Sequence, residues 1–364
     1  MDLRPNEQQS MLRDSARRFL GEAYDFDARR KDIAGNPSPG MWKAVTELGW
    51  AGAALPEDAG GLGGSVVEYA ILMEEMGRSL YVGPFLSTAI CAAVLRSAEG
   101  PRASGLVAQI ASHGAKAALA HGEPGGRGFF DRPTAVARRN GDVYRISGRK
   151  RLVHDLAAAD FALVTAAMSD GAGLFLVSPD TSGLARRDYR TIDNGQASDL
   201  ELDGTPAELI VGGDAARHAL DDGFCWLSIG LGAEAVGIAE GALSHTSDYV
   251  GVRKQFGRTL SDFQVIQHRL ADMFVEIEQL KSSLLGAMSA HEGSPLERMR
   301  AALGLKTLAG QVAAKVSGDG LHLHGGMGMT DEMPISHFYR RARVLEAQYG
   351  NSDYFLAAYA RLLD

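Results

Sequence analysis

The 364-residue chain predicts an α+β protein of several domains, in the order helical N-terminal domain, middle β-barrel domain and C-terminal four-helix bundle. Two observations predict this order. Apolar residues recur at helical spacing near both ends of the chain, whereas short apolar or alternating runs broken by Gly, Asp and Asn occupy the centre. We expect the three domains to span residues 1–114, 115–216 and 217–364.

The helical N-terminal domain is predicted from two amphipathic segments. The apolar face of the opening segment consists of Met11, Leu12, Ala16, Phe19 and Leu20. Residues 65–80 repeat the helical pattern. Between the two segments, 54-ALPEDAGGLGGS-65 is typical of a loop, because Pro and Gly interrupt helices.

The middle domain is predicted from strand-like runs. Residues 134–150 contain an Asn140-Gly141 turn signal, and the runs 161–167 and 174–179 are short and apolar. Strands at this spacing indicate a small barrel or sandwich.

The last domain is predicted from long helical segments. They cover residues 225–253, 261–290 and 295–317, and the first is rich in Ala and Gly, which permit close helix-helix approach. A four-helix bundle is completed by a helix in the segment 339–351.

Composition excludes several classes of partner. The net charge is −8 and the positive residues are scattered, which argues against nucleic acid. The N-terminus lacks the apolar run of a signal peptide, and no window reads as a membrane span of about 20 apolar residues, so we expect a cytoplasmic protein. Cys91 and Cys225 lack metal-ligand spacing, and no metal site is predicted.

Five short motifs follow one another along nearly the whole chain. They are 55-LPEDAGGLGGS-65, 121-HGEP-124, 148-GRK-150, 253-RKQFGRTLSDFQVIQHRLADM-273 and 322-HLHGGMGMTDE-332. In this order they resemble the signature segments of the acyl-CoA dehydrogenase family. The resemblance implies that family's fold and an FAD flavoprotein that removes two hydrogens from the α and β carbons of an acyl-CoA thioester. It also implies a role in lipid or steroid β-oxidation, with electron-transfer flavoprotein as the acceptor.

The resemblance further implies an oligomer in which each subunit grips the adenosine-pyrophosphate half of its neighbour's FAD. The residues at the matching positions are Arg253, Gln255, Phe256, Leu260, Gln264, His322, Gly325 and Gly326. His322 stands where glutamine is common. The chemistry agrees, because a guanidinium binds a diphosphate bidentately and glycines let main chain approach a cofactor. We expect Gly257 to end the preceding helix.

The residue that the family uses as catalytic base is missing. The family carries a glutamate there, because removal of the α proton needs a carboxylate. Tyr349 occupies the matching position, and Leu227 occupies the second position, which a minority of members use. A phenol is a poor base at neutral pH, so we predict no catalytic residue in this chain. The possible substitutes are Glu346, one helical turn before Tyr349, then Glu234 and Asp353.

The segments that hold the flavin ring in the family also depart from the pattern. Gly122 replaces a threonine, Gly128 and Phe129 replace a Ser-Asp pair, and 152-LVH-154 replaces Trp-Ile-Thr. Both hydroxyl donors and the aromatic wall are lost, although His154 could still donate one hydrogen bond.

These selective losses predict the small, non-catalytic subunit of an α2β2 acyl-CoA dehydrogenase. The chain resembles the small subunits of the pimeloyl-CoA type and of the enzymes that shorten steroid side chains, whose homologous partner supplies the glutamate and the flavin pocket. Two alternatives remain open. One is a flavin-dependent oxidase or monooxygenase on the same fold, using His154 or Tyr349. The other is a non-catalytic homomer that binds an acyl-CoA or a nucleotide.

Overall fold

A computed structural model describes residues 5–34, 39–141 and 143–363. The helices are α1 (Glu7–Ala23), α2 (Phe26–Ala34), α3 (Pro39–Glu47), α4 (Val66–Arg78), α5 (Phe85–Ala98), α6 (Gly100–His113), α7 (Gly213–Val252), α8 (Gln264–Ala290), α9 (Pro295–His324), α10 (Pro334–Ala347) and α11 (Ser352–Ala360). The strands are β1 (Ala117–Ala120), β2 (Val136–Asn140), β3 (Val143–His154), β4 (Phe161–Met168), β5 (Gly171–Val177), β6 (Leu184–Arg190), β7 (Gln196–Gly212), β8 (Lys254–Gln255) and β9 (Arg258–Thr259).

The order of these elements confirms the predicted α+β class. Helices run to His113, strands fill 117–212, and long helices follow from Gly213. By its contacts the chain divides into two compact units. The helical unit comprises Met1–Asn36, Val66–Tyr81 and Ser228–Asp364, and the barrel unit comprises Pro37–Ser65 and Val82–Leu227. The three-domain boundaries at 114/115 and 216/217 stay a prediction.

The barrel unit contains a closed sheet. Strands β4, β2, β3, β7 and β5 pair in that order, and β5 also pairs with β4, which closes a five-stranded barrel. Strand β1 adds to β4 in parallel, and β6 adds to β7. The interior is apolar and includes Ile146, Val164, Phe175 and Leu200. The Asn140-Gly141 signal lies between β2 and β3, where it was predicted.

In the helical unit, α4 and α7 cross closely because both carry glycine at the crossing. A Cβ atom on Gly77 would collide with the backbone of Glu234, and one on Gly237 would collide with the carbonyl oxygen of Glu74. This crossing confirms the close approach that the Ala and Gly content predicts. Helix α7 begins at Gly213, twelve residues before the predicted segment, and α9 continues to His324.

Helix α7 is long and apolar enough, by length and composition alone, to cross a membrane, so the expectation that no window of the chain is that apolar is wrong. Its most apolar window is 83% buried inside the protein. Such burial is usual for the central helix of a folded core.

Alternating charges tie four helices of the helical unit together. The carboxylate of Glu75 in α4 binds Arg17 of α1 through two hydrogen bonds of 2.8 and 3.0 Å. Arg78 of α4 pairs with Glu240 of α7, which also binds Lys281 of α8 at 2.6 Å. These pairs border a cavity of about 940 Å³ whose apolar wall includes Ile71, Leu243, Phe274 and Met288. In α1, Ala16 and Leu20 are buried as predicted, whereas Met11 is exposed.

Candidate functional site

A short hairpin follows the end of α7. Strands β8 and β9 pair with one another, and Phe256 and Gly257 form the turn between them with φ angles of +52° and +81°. Two consecutive positive φ angles are typical of a tight hairpin turn. The prediction that Gly257 ends the preceding helix is wrong, because α7 already stops at Val252. Phe256 stands at the tip and is 91% exposed.

The hairpin packs against Phe263, which is not among the predicted site residues. The ring of Phe263 meets that of Phe256 edge-on at 6.2 Å, and the guanidinium of Arg258 lies 3.9 Å from the Phe263 ring centroid. Phe263 also precedes Gln264, the exposed first residue of α8. The stacking of a guanidinium on an aromatic face favours one orientation of the hairpin.

Contacts within the helical unit bring the hairpin to the end of α9. The main-chain N–H of Leu260 donates to the carbonyl of Arg253 over 2.9 Å, which closes the hairpin base. Tyr249, near the end of α7, stacks on His324 at 4.2 Å, and its hydroxyl donates to the His324 carbonyl. Gly325 follows at once. The predicted residues from the two distant motifs therefore occupy one region.

The glycines after α9 present open main chain. Gly325 ends the helix with a φ of +62°. A Cβ atom on Gly325 or Gly326 would have no neighbour within 4 Å, and both residues are exposed. The helix that follows directly is a five-residue 3-10 turn, Gly325–Met329. Ligand atoms can therefore approach the backbone here without meeting a side chain.

The charge of the hairpin is not neutralised. The side chains of Arg253, Lys254 and Arg258 are exposed, and within the described part of the chain none of them forms an ion pair with a carboxylate. Most other arginines of the helical unit are paired, as Arg13 and Arg78 are with Glu74 and Glu240. Three uncompensated cations beside an exposed ring form a surface suited to a phosphate-bearing aromatic ligand.

The position of the missing base lies in a turn and not on a helix. Helix α10 ends at Ala347, and Tyr349 has a left-handed backbone with φ +60°. The expected relation between Glu346 and Tyr349, one turn apart on the same helical face, is therefore wrong. Nζ of the fully buried Lys306 donates to the carbonyls of Leu345, Glu346 and Gly350 at 3.1 to 3.4 Å, which fixes this turn.

The substitute carboxylates already have partners or lie on the surface. Glu234 is buried and binds the guanidinium of Arg341 through bonds of 2.6 and 2.8 Å. Glu346 accepts from the N–H of Ser352 at 3.3 Å and lies 3.7 Å from Arg343. Asp353 is exposed in the first turn of α11. Leu227, at the second base position, is fully buried.

In the barrel unit, the loop that follows β1 is held by hydrogen bonds to β3, β4 and the segment before β2. The carboxylate of Glu123 accepts from Nζ of Lys150 at 2.6 Å and from the N–H groups of Thr134 and Ala135. Burial lowers the pKa of Lys150 to about 8, although Glu123 opposes the shift. Both imidazole nitrogens of His121 are bonded, to Thr165 and to the carbonyl of Phe129. Burial, with Lys150 nearby, lowers the pKa of His121 to about 4.

The same loop turns its aromatic residues inward. Phe129, where the family has an aspartate, is buried and packs on Phe130 and Phe224. The structure also explains the glycine at position 122, where the family has a threonine. A Cβ atom on Gly122 would lie 2.9 Å from the carbonyl oxygen of Arg151. These departures belong to a consistently packed loop.

Comparisons with known proteins identify the family. The acyl-CoA dehydrogenase N-terminal domain matches residues 6–100, and the acyl-CoA dehydrogenase C-terminal domain matches residues 220–363. A solved variant of the Tcur3481-Tcur3483 steroid ACAD is 30% identical, with 98% of each chain covered and a TM-score of 0.91. The chain belongs to the acyl-CoA dehydrogenase family.

Other acyl-CoA dehydrogenases extend this similarity over most of the chain. The human mitochondrial short-chain specific acyl-CoA dehydrogenase is 29% identical over 340 residues, which cover 85% of this chain and 79% of the relative. The ChsE4-ChsE5 complex from Mycobacterium tuberculosis shares the fold, with 24% identity, 100% and 99% coverage and a TM-score of 0.89. The predicted family, fold, oxidoreductase class and FAD cofactor are thereby confirmed.

FAD, when bound to an acyl-CoA dehydrogenase, supplies the acceptor for a hydride, and this chain fits only one half of it. The hairpin and Gly325–Gly326 fit the adenosine diphosphate half, because they offer unpaired cations, an exposed ring and open main chain. The loop at 121–131 lacks the side chains that hold the ring half in the family, because His121 and Glu123 are already bonded within the barrel unit and Phe129 is buried. Among the described residues, no group of three or more His, Cys, Asp or Glu side chains could hold a metal ion.

Proposed function

We propose that this chain is the non-catalytic subunit of a heteromeric acyl-CoA dehydrogenase, in which it clamps the adenosine diphosphate half of the FAD of a homologous catalytic partner. The observation that carries the proposal is a contrast within one chain. The hairpin keeps exposed cations that form no ion pair in the described chain, whereas the carboxylate of Glu123 in the loop is bonded to Lys150 and a left-handed tyrosine occupies the position of the family's catalytic base.

The division of tasks follows from this contrast. The partner's carboxylate removes the α proton of an acyl-CoA, and the hydride leaves from the β carbon. This chain contributes cations that offset the two phosphates and an aromatic face beside the adenine. We place the complex in the cytoplasm, in lipid or steroid β-oxidation, with electron-transfer flavoprotein as the acceptor. The paired names of two similar solved structures, Tcur3481-Tcur3483 and ChsE4-ChsE5, support a heteromer.

Purification with and without the partner tests the proposal. We expect the chain alone to carry no stoichiometric FAD and to show no dehydrogenase activity. Co-expressed with its partner, it should form an α2β2 complex with two FADs per tetramer, by absorbance and native mass spectrometry. Four FADs would contradict the division of tasks. Rapid consumption of oxygen by the reduced flavin of the chain alone would instead favour an oxidase or monooxygenase. A flavin-free homotetramer would favour a binding homomer.

Restoring the base in this chain gives a second test. Tyr349→Glu returns the family's carboxylate to its position, while the loop at 121–131 keeps its contacts with Lys150 and Phe224. We expect no gain of activity in the chain alone, because the flavin-ring half of the site is still missing. A dehydrogenase created by this one substitution would contradict the proposal. The matched control is Tyr354→Glu, which places the same carboxylate at a neighbouring half-buried tyrosine.

A further inference from the structure

The last turn of α9 carries an imidazole whose proton position is defined by a neighbour. Nη1 of Arg269, in α8, lies 3.1 Å from Nδ1 of His322. A guanidinium has only donors, so Nδ1 must accept and the ring proton must sit on Nε2. Because His322 is exposed, this leaves an outward N–H donor three residues before Gly325.

Arg269 is itself held in place by charges on α9. Oδ1 of Asp319 lies 4.0 Å from the same Nη1, and Oδ2 of Asp319 lies 3.6 Å from Nζ of Lys315. Lys315 also pairs with Glu276 of α8 at 3.2 Å. The row of charges runs along the α8–α9 surface towards the open glycines, and it restricts where the guanidinium can point.

The end of a helix is a poor place for a phosphate unless donors are present. The last carbonyls of α9 carry partial negative charge, which repels an anion near Gly325. A donor N–H on the last turn offsets this repulsion. Glutamine, the residue common at this position, would supply such a donor from its amide, and neutral histidine supplies it only if Nε2 is protonated.

On the basis of the proposed function, we propose that Arg269 is a positioning residue that holds His322 in the Nε2–H tautomer, so that this N–H donates to the adenosine diphosphate half of the partner's FAD. Arg269 acts through His322 and does not bind the phosphates itself. Arg269 was not selected from the sequence, because its effect depends on a contact 53 residues along the chain.

A double-mutant cycle with ADP as the probe tests this role. ADP is titrated into the full-length chain by calorimetry. We expect His322→Leu to weaken binding about five- to tenfold, the loss of one hydrogen bond, and His322→Gln to bind like the native chain. Arg269→Met should weaken binding about threefold in the native background and leave it unchanged in the His322→Gln background, because the amide has no tautomer to fix. Arg149→Met, in the barrel unit, is the control.

The outcomes separate this inference from the proposed function. Equal weakening by Arg269→Met in both backgrounds would mean that Arg269 binds the ligand directly, which overturns the positioning role and leaves the clamp intact. Failure of the native chain to bind ADP would overturn the clamp and this inference with it. Imidazole nitrogen shifts give an independent readout: a fixed Nε2–H form in the native chain that becomes mixed in Arg269→Met supports the inference, and identical spectra overturn it.

Discussion

The hairpin of the helical unit and the loop at 121–131 of the barrel unit differ in whether their charged groups are bonded within the chain. Arg253 and Lys254 in the hairpin reach into solvent without a carboxylate partner in the described chain. Lys150, against the loop, is fully buried and bonded to Glu123, His121 and Thr165. A charge that stabilises nothing inside its own chain is available to a ligand, whereas a fully bonded one stabilises the fold.

Removal of the carboxylate of Glu123 should have the largest effect on the stability of the barrel unit. Glu123→Ala should lower the free energy of unfolding by about 3 to 5 kcal/mol, because it leaves the ammonium of Lys150 buried without its counter-charge. Urea titration measures the change. Glu201→Ala removes an exposed pair with Arg149 on the same sheet and should cost less than about 1 kcal/mol. Similar costs for the two variants would show that the loop is not held by its ion pair.

Removal of a charge from the hairpin should weaken FAD binding. Arg253→Gln should weaken FAD binding by the complex by about 1.5 to 3 kcal/mol, because it removes charged hydrogen bonds to a phosphate. A fluorescence titration of FAD against the complex measures this. Arg149→Gln removes a guanidinium outside the hairpin and should leave the affinity unchanged. An unaltered affinity in Arg253→Gln would exclude the hairpin from the clamp.

Acid should lower the stability of the chain through the buried imidazole of His121. The pKa of His121 lies near 4 in the folded chain, below the ordinary value of about 6.5, so the unfolded chain binds more protons between these values. Stability is therefore lost as the pH falls through this window, by about 2 kcal/mol between pH 7 and pH 5. His121→Gln keeps a donor and an acceptor but does not titrate. Urea midpoints at the two pH values should fall more in the native chain, and parallel falls would exclude His121 as the cause.

The exposed ring at the tip of the hairpin should contribute least to stability. Phe256→Ala should change the free energy of unfolding by less than about 0.5 kcal/mol, because the ring is almost wholly exposed. Phe355→Ala, a fully buried ring in the same unit, should cost about 3 to 5 kcal/mol. Urea unfolding measures both. A large cost for Phe256→Ala would mean that the hairpin aromatic serves the fold.

Local signals in the sequence predicted much of the fold. Periodicity located the long helices and several of the strands, Asn140-Gly141 located a hairpin, and the Ala and Gly content of residues 225–253 predicted a close helix-helix approach, which the structure places between α4 and α7. Element ends were less predictable, because the end of α10 at Ala347 depends on Lys306, which is 41 residues away from it in sequence and donates to the last carbonyls. No local sequence signal predicts the left-handed backbone of Tyr349.

The candidate site was predicted only in the part that motifs describe. Arg253, Phe256 and the glycine pair follow recognisable spacing. The supporting residues, such as Tyr249 stacked on His324, act through contacts between segments far apart in the chain, and no spacing rule reveals them. The loop at 121–131 was visible in the sequence as departures from the family pattern, but its bond to Lys150 joins distant segments, and no local pattern predicts it.

Lys306 gives the turn at Tyr349 a cation that cannot dissociate. Three carbonyl oxygens surround its ammonium, much as main-chain oxygens surround a bound monovalent metal ion, while the ring of Phe355 lies 5.2 Å away. A tethered ion is indifferent to the salt composition of the medium. Burial lowers its pKa to about 7, with Glu346 opposing the shift, so the charge of this internal cation, unlike that of a metal ion, depends on pH.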